Sequence, residues 1–173
     1  AIKLLSNKPI NSSKYGIYSH RILDKWLVGG ASNTGGQVLR KFFSDTELKS
    51  LEKKIDTSIR PEFSYYPLIE AGERFPIYDP KLEPKLSPRP EDNVKFLYEI
   101  LSGISIIEKK CFSLLERLGS SKLKKVFTSG GGAESDVWRL IREKNLCVSV
   151  TNNPNKSASM GSAKLALIGY NIN

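Results

Sequence analysis

One histidine, two cysteines and one methionine are all that 173 residues hold of these types, and the shortage removes several chemistries at once. With His20 as the sole imidazole, the chain spells neither a Cys–His catalytic pair nor a histidine-rich metal cage. Cys111 and Cys147 lie far apart, each in an apolar stretch and without a ligand neighbour at metal spacing. Both are expected as buried free thiols in a reducing compartment. No apolar run approaches the roughly 18–20 residues of a membrane span. The first residues also lack the basic, apolar and small-residue order of a signal peptide. A cytoplasmic protein without a membrane partner is therefore expected. The chain opens on Ala1-Ile2-Lys3-Leu4-Leu5 with no initiator methionine, which reads as a strand entered midway and predicts a fragment of a longer protein.

Charge of one sign is in excess, at +9. A basic surface can attract nucleic acid, acidic lipid or phosphorylated metabolites. Here Lys49, Lys53, Lys54, Lys109, Lys110, Lys122, Lys124 and Lys125 are dispersed among glutamates or near helix ends. That dispersal favours a solvated surface, ahead of a basic face flanking a nucleotide site and of nucleic-acid binding. A non-catalytic basic module that binds nucleic acid or an acidic partner remains the alternative in another functional class. The 39% hydrophobic and 26% charged content is that of a globular domain, and residues 1–173 fit one domain.

Residues 2–6, 14–20 and 25–29 are short β-leaning runs with brief links, which predicts an antiparallel meander. A helix is expected from near Gly35 or Gln37, where Val38, Leu39, Phe42 and Phe43 recur at helical spacing. A second is expected behind Asp45 as cap, with Leu48, Leu51 and Ile55 inward. Seven prolines between residues 60 and 90 exclude regular helix there. Tyr65, Tyr66, Phe75 and Tyr78 predict that this long loop packs on the domain. Val94, Leu97, Leu101, Ile104, Ile107, Cys111, Leu114 and Leu118 step by three and four, marking the longest helix, and Gly103 within it permits close approach of a neighbouring element. Strand 124–128, helix 134–144, strand 146–150 and helix 157–169 follow. The last carries a small-residue face of Ala158, Gly161, Ser162, Ala163 and Ala166, suited to lying against a sheet or helix. Three antiparallel strands followed by alternating helices and strands in a mixed sheet is the order of a ribonuclease H-like α/β domain, the unit of actin-like ATPases. Nucleases of that fold hold metal with an acidic residue on the first strand. Ile2–Ser6 has none, which argues against metal-dependent nuclease chemistry.

Two glycine-rich places are candidate sites. Gly130-Gly131-Gly132 lies between a strand and a helix, where a missing Cβ lets backbone approach a ligand and a helix N-terminus presents N–H groups. Ser135 and Trp138 fall in the first turns, one polar and one able to stack on or wall off a purine. A purely steric strand–helix turn reads the same glycines without function. Gly29–Gly36 is the second place. Its Gly30-x4-Gly35 spacing is followed by Gly36-Gln37 and not by Lys-Ser/Thr, so it is no Walker A loop. It is either a close-approach loop for a nucleotide or a plain turn.

These stretches together resemble the C-terminal domain of the FGGY carbohydrate kinases. The resemblance runs through GGASNTGG and the helix to Phe43, PLIEAGERFP (67–76), LYEILSGISIIEKK (97–110), VFTSGGGAESDVWRLIREK (126–144) and ASMGSAKLAL (158–167). It covers nearly the whole chain and is nearest to pentulose-kinase-like members of cyanobacterial and plant type. What it implies is adenosine binding, with Gly131 and Gly132 along the nucleotide and Ser135 and Trp138 at the adenine. Gly35 would face the ribose or phosphates. ATP and Mg2+ are the implied cofactors, and a pentulose such as D-ribulose or D-xylulose the implied sugar. The resemblance places the phosphate turn and the aspartate base in an N-terminal partner domain, so this chain carries no catalytic residue and alone is expected to be inactive. A degenerate relative with a scaffolding role is a minor further reading.

Overall fold

The computed structural model describes residues 1–152 and 158–170. Strands β1 (Ile2–Ser6), β2 (Tyr18–Ile22) and β3 (Lys25–Gly30) form an antiparallel sheet. Its order is β1-β3-β2, which corrects the expected meander. β2 turns directly into β3 at Leu23, which takes a left-handed φ of 52°. Residues 7–17 are long enough to carry the chain from one edge of β3 to the other. The register sets Leu4 opposite Val28, and both are buried in the core.

Past β3, residues Gly36–Lys41 form a 3-10 turn where an α-helix was expected, with Val38 and Leu39 buried as its spacing predicts. Helix α1 (Asp45–Glu52) is capped by Ser44 and not by Asp45. The Ser44 hydroxyl accepts the Glu47 N–H while the Glu47 carboxylate accepts the Ser44 N–H, the S-x-x-E box that satisfies two orphan donors. The proline-rich segment folds back on itself through bridges Tyr66–Lys85 and Glu73–Asp79. Tyr65 and Phe75 are buried and Tyr66 half-buried, whereas Tyr78 is exposed and does not join the packing.

Helix α2 (Asn93–Arg117) is the axis of the domain, roughly 37 Å long at 1.5 Å per residue. Every residue from Phe96 to Ser105 is buried, a broader contact than a one-sided stripe predicts. The reason is that neighbours surround it: β1, β3, α1 and the third helix all touch it, and the proline-rich segment covers Gly103. Its first half packs with Leu39, Phe43, Tyr65 and Ile141; its second half packs with Leu4, Val28, Phe75 and Val126. Ile100, Leu101, Ile107 and Leu115 are fully buried, each contributing about 1.5–3 kcal/mol relative to exposure.

β4 (Lys125–Thr128), α3 (Asp136–Leu146) and β5 (Ser149–Asn152) make a strand–helix–strand unit with β4 and β5 parallel. The strands therefore hydrogen-bond as a three-stranded and a two-stranded sheet, not as the single mixed sheet expected. Leu146 closes α3 instead of opening β5. Cys147 caps the helix in left-handed conformation, φ 57°. That places it on the surface, against the expectation of two buried thiols; Cys111 alone is buried. Burial, then the nearby Glu73 and Glu108 carboxylates, push the Cys111 thiol well above its ordinary range.

Helix α4 spans Ala158–Tyr170. Residues 159–170 are exposed, and a Cβ added at Gly161 would meet nothing within 4 Å. Gly161, Ala163 and Ala166 of its small-residue face are thus exposed instead of packed away, contrary to expectation; Ser157, read as its start, falls outside the described residues. No described helix is long and apolar enough to cross a membrane.

A Cβ built on Gly103 would stand 3.1 Å from both Cβ and O of Tyr65, the close approach expected of that glycine. Gly103→Val should therefore lower stability by about 1–3 kcal/mol through overpacking, measured as a lower denaturant midpoint at unchanged slope.

Candidate functional site

The first wall of the site is the loop leaving β3, residues 31–35. It has almost no regular backbone pairing of its own and is held by the proline-rich segment through one buried carboxylate. Oε1 of Glu73 accepts the backbone N–H of Asn33 at 2.7 Å and of Arg74 at 2.8 Å. Oε2 accepts the Ser32 hydroxyl at 2.7 Å and the Tyr66 hydroxyl at 3.0 Å. Asn33 Nδ2 donates to the Gly72 carbonyl, and Arg74 Nε donates to Asn33 Oδ1. Ser32 Oγ also accepts the Thr34 N–H. Glu73 is 1% exposed, and a carboxylate with this many donors is stable without a counter-cation. Burial, then the Glu73 charge, raise the Tyr66 phenol well above its usual range, which keeps Tyr66 a donor.

The second wall is the turn after β4. Gly130 has φ 92°, and the backbone then makes a 3-10 turn over Gly131–Glu134 before α3 begins. The glycines accordingly precede the helix by a full turn instead of opening it. Ser135 is the N-cap: its hydroxyl accepts the Trp138 N–H at 3.1 Å. Asp136 adds negative charge in the first turn. Capped and charged in this way, the α3 N-terminus offers less to a phosphate than a bare helix start does, and the turn suits a neutral face of a ligand.

Trp138 joins the walls. It is 9% exposed, and its ring edge lies against both glycine loops: a Cβ on Gly132 would fall 2.3 Å from Cζ3, and one on Gly36 would lie 3.6 Å away. The indole is a buried floor between the loops, and its Nε1–H has no hydrogen-bond partner among the described residues. Two cavities meet over it. The inner one, about 260 Å³, is bounded by Ile2, Thr34, Gly35, Ser129 and the Glu108–Arg142 pair. The outer one, about 470 Å³, lies between Gly36–Arg40, α1 and residues 131–135; both share Gly36, Gly132 and Trp138. Arg142 reaches Glu108 through two bonds, 2.8 and 2.7 Å, bracing α3 against α2 behind the floor.

All five residues singled out from the sequence surround this cleft. Gly131, Gly132, Ser135 and Trp138 line the outer cavity, and Gly35 lines the inner one. At Gly35, φ is 154° and a Cβ would meet nothing within 4 Å, so its backbone conformation, not crowding, calls for glycine.

No family model matches the chain. A gluconokinase of Bacillus subtilis (strain 168) is 27% identical over 80% of this chain and 31% of its own length. Gluconokinase of Bacillus licheniformis is 26% identical over the same shares. The chain is a relative of the FGGY carbohydrate kinases. It spans about a third of the length of those relatives. A gluconate kinase from Lactobacillus acidophilus has the same fold, with TM-score 0.79 at 17% identity over 99% of this chain and 37% of its own. A xylulose kinase from that organism superposes at TM-score 0.76 with 16% identity, over 99% of this chain and 36% of its own.

Glu73 and the Glu108–Arg142 pair went unremarked as site residues in the sequence. Glu73 sits inside PLIEAGERFP, one of the FGGY-like stretches, which was the available signal. Its loop partners Ser32 and Asn33 are about 40 residues away in the chain, so no local pattern points to them.

The adjacent glycines Gly131 and Gly132 should respond differently to alanine. A Cβ at Gly131 meets nothing within 4 Å, whereas at Gly132 it strikes the Trp138 ring. Thermal melts should place Gly131→Ala at the wild-type value and show Gly132→Ala destabilised by about 1–3 kcal/mol.

Proposed function

We propose that this chain is the ATP-binding lobe of a sugar kinase, a C-terminal domain of ribonuclease H-like, actin-like ATPase architecture. The observation that carries the reading is the convergence of two glycine loops on Trp138, framing adjoining cavities of a size suited to a nucleoside. The relationship to gluconokinase over 80% of the chain supports it. Gly131 leaves its place open although neither backbone nor packing requires glycine there, as expected where a ligand lies against the main chain. The outer cavity, with Leu39, Leu48, Gly131, Gly132 and Ser135, takes adenine and ribose. Gly35 borders the route toward the phosphates.

The residues present fit a nucleoside better than they fit a metal. Among the described residues no three His, Cys, Asp or Glu side chains gather at ligand spacing. Mg2+ would thus be held by ATP phosphates and by the rest of the enzyme, as is usual for this ion. Bound MgATP supplies the γ-phosphoryl group. This chain's residues bind and orient the nucleoside and exclude water from one side of it. The catalytic base, the phosphate turn and the sugar contacts belong to an N-terminal domain, and the lobe alone does not turn over. A pentulose such as D-ribulose or D-xylulose is the proposed acceptor, supported by the FGGY-type stretches and by the xylulose kinase among the structural relatives.

Calorimetric titration with ADP tests the reading. The wild-type chain should bind, and Gly131→Leu should weaken binding by about tenfold or more while its melt stays at the wild-type value, because the added side chain meets only the ligand space. Absence of wild-type binding at millimolar ADP would overturn the proposal. Sugar phosphorylation by this chain without the N-terminal domain would overturn the division of labour.

A further inference from the structure

Resting on the nucleotide reading above, we infer that Glu73 is a positioning residue of the nucleotide site: from within the proline-rich segment it sets the loop 31–35 in the conformation that receives the ligand. The chemistry of its two oxygens is divided. Oε1 takes only backbone donors, Asn33 and Arg74, with a longer contact from the Phe75 N–H at 3.5 Å. Oε2 takes only hydroxyl donors, Ser32 and Tyr66. Three of these four close partners lie on the loop or beside it, and Ser32 relays the hold to the Thr34 N–H. The loop so fixed supplies Ser32, Thr34, Gly35 and Gly36 to the inner cavity. Among the described residues it has no strand or α-helix to fix it otherwise. Without Glu73, its backbone donors would seek water, and the cavity wall would become an ensemble that a ligand must order on binding.

Glu99 provides the matched control. It too is a buried carboxylate that holds the proline-rich segment, accepting the backbone N–H groups of Glu62 at 2.7 Å and Phe63 at 3.1 Å. It lines neither cavity of the cleft. Loss of Glu99 therefore costs stability without touching loop 31–35.

The division of donors also predicts a rescue. Glutamine at 73 can keep its carbonyl oxygen on the two backbone donors and turn its amide N–H groups to the Ser32 and Tyr66 oxygens, which accept as well as donate. Alanine can do neither.

The experiment combines ADP titration with hydrogen exchange at the Asn33 and Thr34 amides, for wild type, Glu73→Ala, Glu73→Gln and Glu99→Ala, at a temperature where all four are folded. Glu73→Ala should lose amide protection at both positions and bind ADP on the order of tenfold more weakly. Glu73→Gln should regain protection and most of the affinity, and Glu99→Ala should bind as the wild type does. Equal affinity losses in Glu73→Ala and Glu99→Ala would reduce Glu73 to a general stabilising role, and retained protection in Glu73→Ala would overturn the inference outright. If the wild type binds no ADP, the nucleotide reading falls and the ligand part of the inference falls with it. The exchange data still decide separately whether Glu73 sets the loop.

Discussion

Charge that is buried must be fully hydrogen-bonded, and three glutamates under this constraint tie the fold together. Glu73, Glu99 and Glu108 are at most 8% exposed. Left without partners, each would destabilise the domain by several kcal/mol. Each finds its donors far along the chain: Glu73 in the loop after β3, Glu99 at the start of the proline-rich segment, and Glu108 on Arg142 of α3. Apolar packing around α2 supplies most of the driving force for collapse, but it is tolerant of small shifts. The carboxylates are not tolerant, because an N–H displaced by an ångström no longer bonds. Glu99 fixes the start of the proline-rich segment on α2, Glu108 fixes α3 on α2, and Glu73 fixes loop 31–35 on the proline-rich segment, so the last two set walls of the cleft.

This division explains what the sequence reveals. α2 and α1 are legible because their apolar residues repeat at helical spacing, whereas the α1 cap is read one residue late, at Asp45, because the Ser44–Glu47 box competes with an adjacent residue that also caps well. The boundaries of α3 are misjudged because Gly131–Glu134 make a 3-10 turn, whose composition matches that of a helix start. β1 is placed on the wrong neighbour because strand order follows from long-range register, and nothing between residues 7 and 17 encodes it locally. Cys147 reads as core because its neighbours Leu146 and Val148 are apolar. Its left-handed cap geometry, which turns the thiol outward, leaves no trace in composition.

Three consecutive glycines show how one motif conceals separate causes. Gly130 is required by its backbone conformation. Gly132 is required by the Trp138 ring, which occupies the space of its Cβ. Gly131 is required by neither. Sequence reasoning treats the triplet as a unit and assigns ligand contact to two members, yet the structure gives a ligand-independent reason for glycine at 130 and 132. Gly131 is the one member for which the proposed ligand contact supplies a reason that the fold does not. Trp138 is likewise more floor than stacking plate, since a ring buried between Gly36 and Gly132 offers an edge and an unpaired N–H, not a free face.

The electrostatics of the cleft bear on which end of the proposed nucleotide it suits. Ser135 takes one N–H of the first turn, that of Trp138, and Asp136 adds a negative charge there, which makes the α3 N-terminus a poorer site for a polyphosphate. The Arg142 guanidinium is committed to Glu108 through two hydrogen bonds. Of the cations lining the outer cavity, Arg40 is paired with Asp45, so a triphosphate held here would draw on Lys49 and on charge from elsewhere, because close anionic oxygens repel strongly once water is excluded. A nucleoside needs no such compensation: apolar walls, main-chain approach and a few oriented polar groups suffice. Under the proposed function the cleft receives the uncharged end of a nucleotide, and the charged end, with its metal and the accepting sugar, falls to the proposed N-terminal domain.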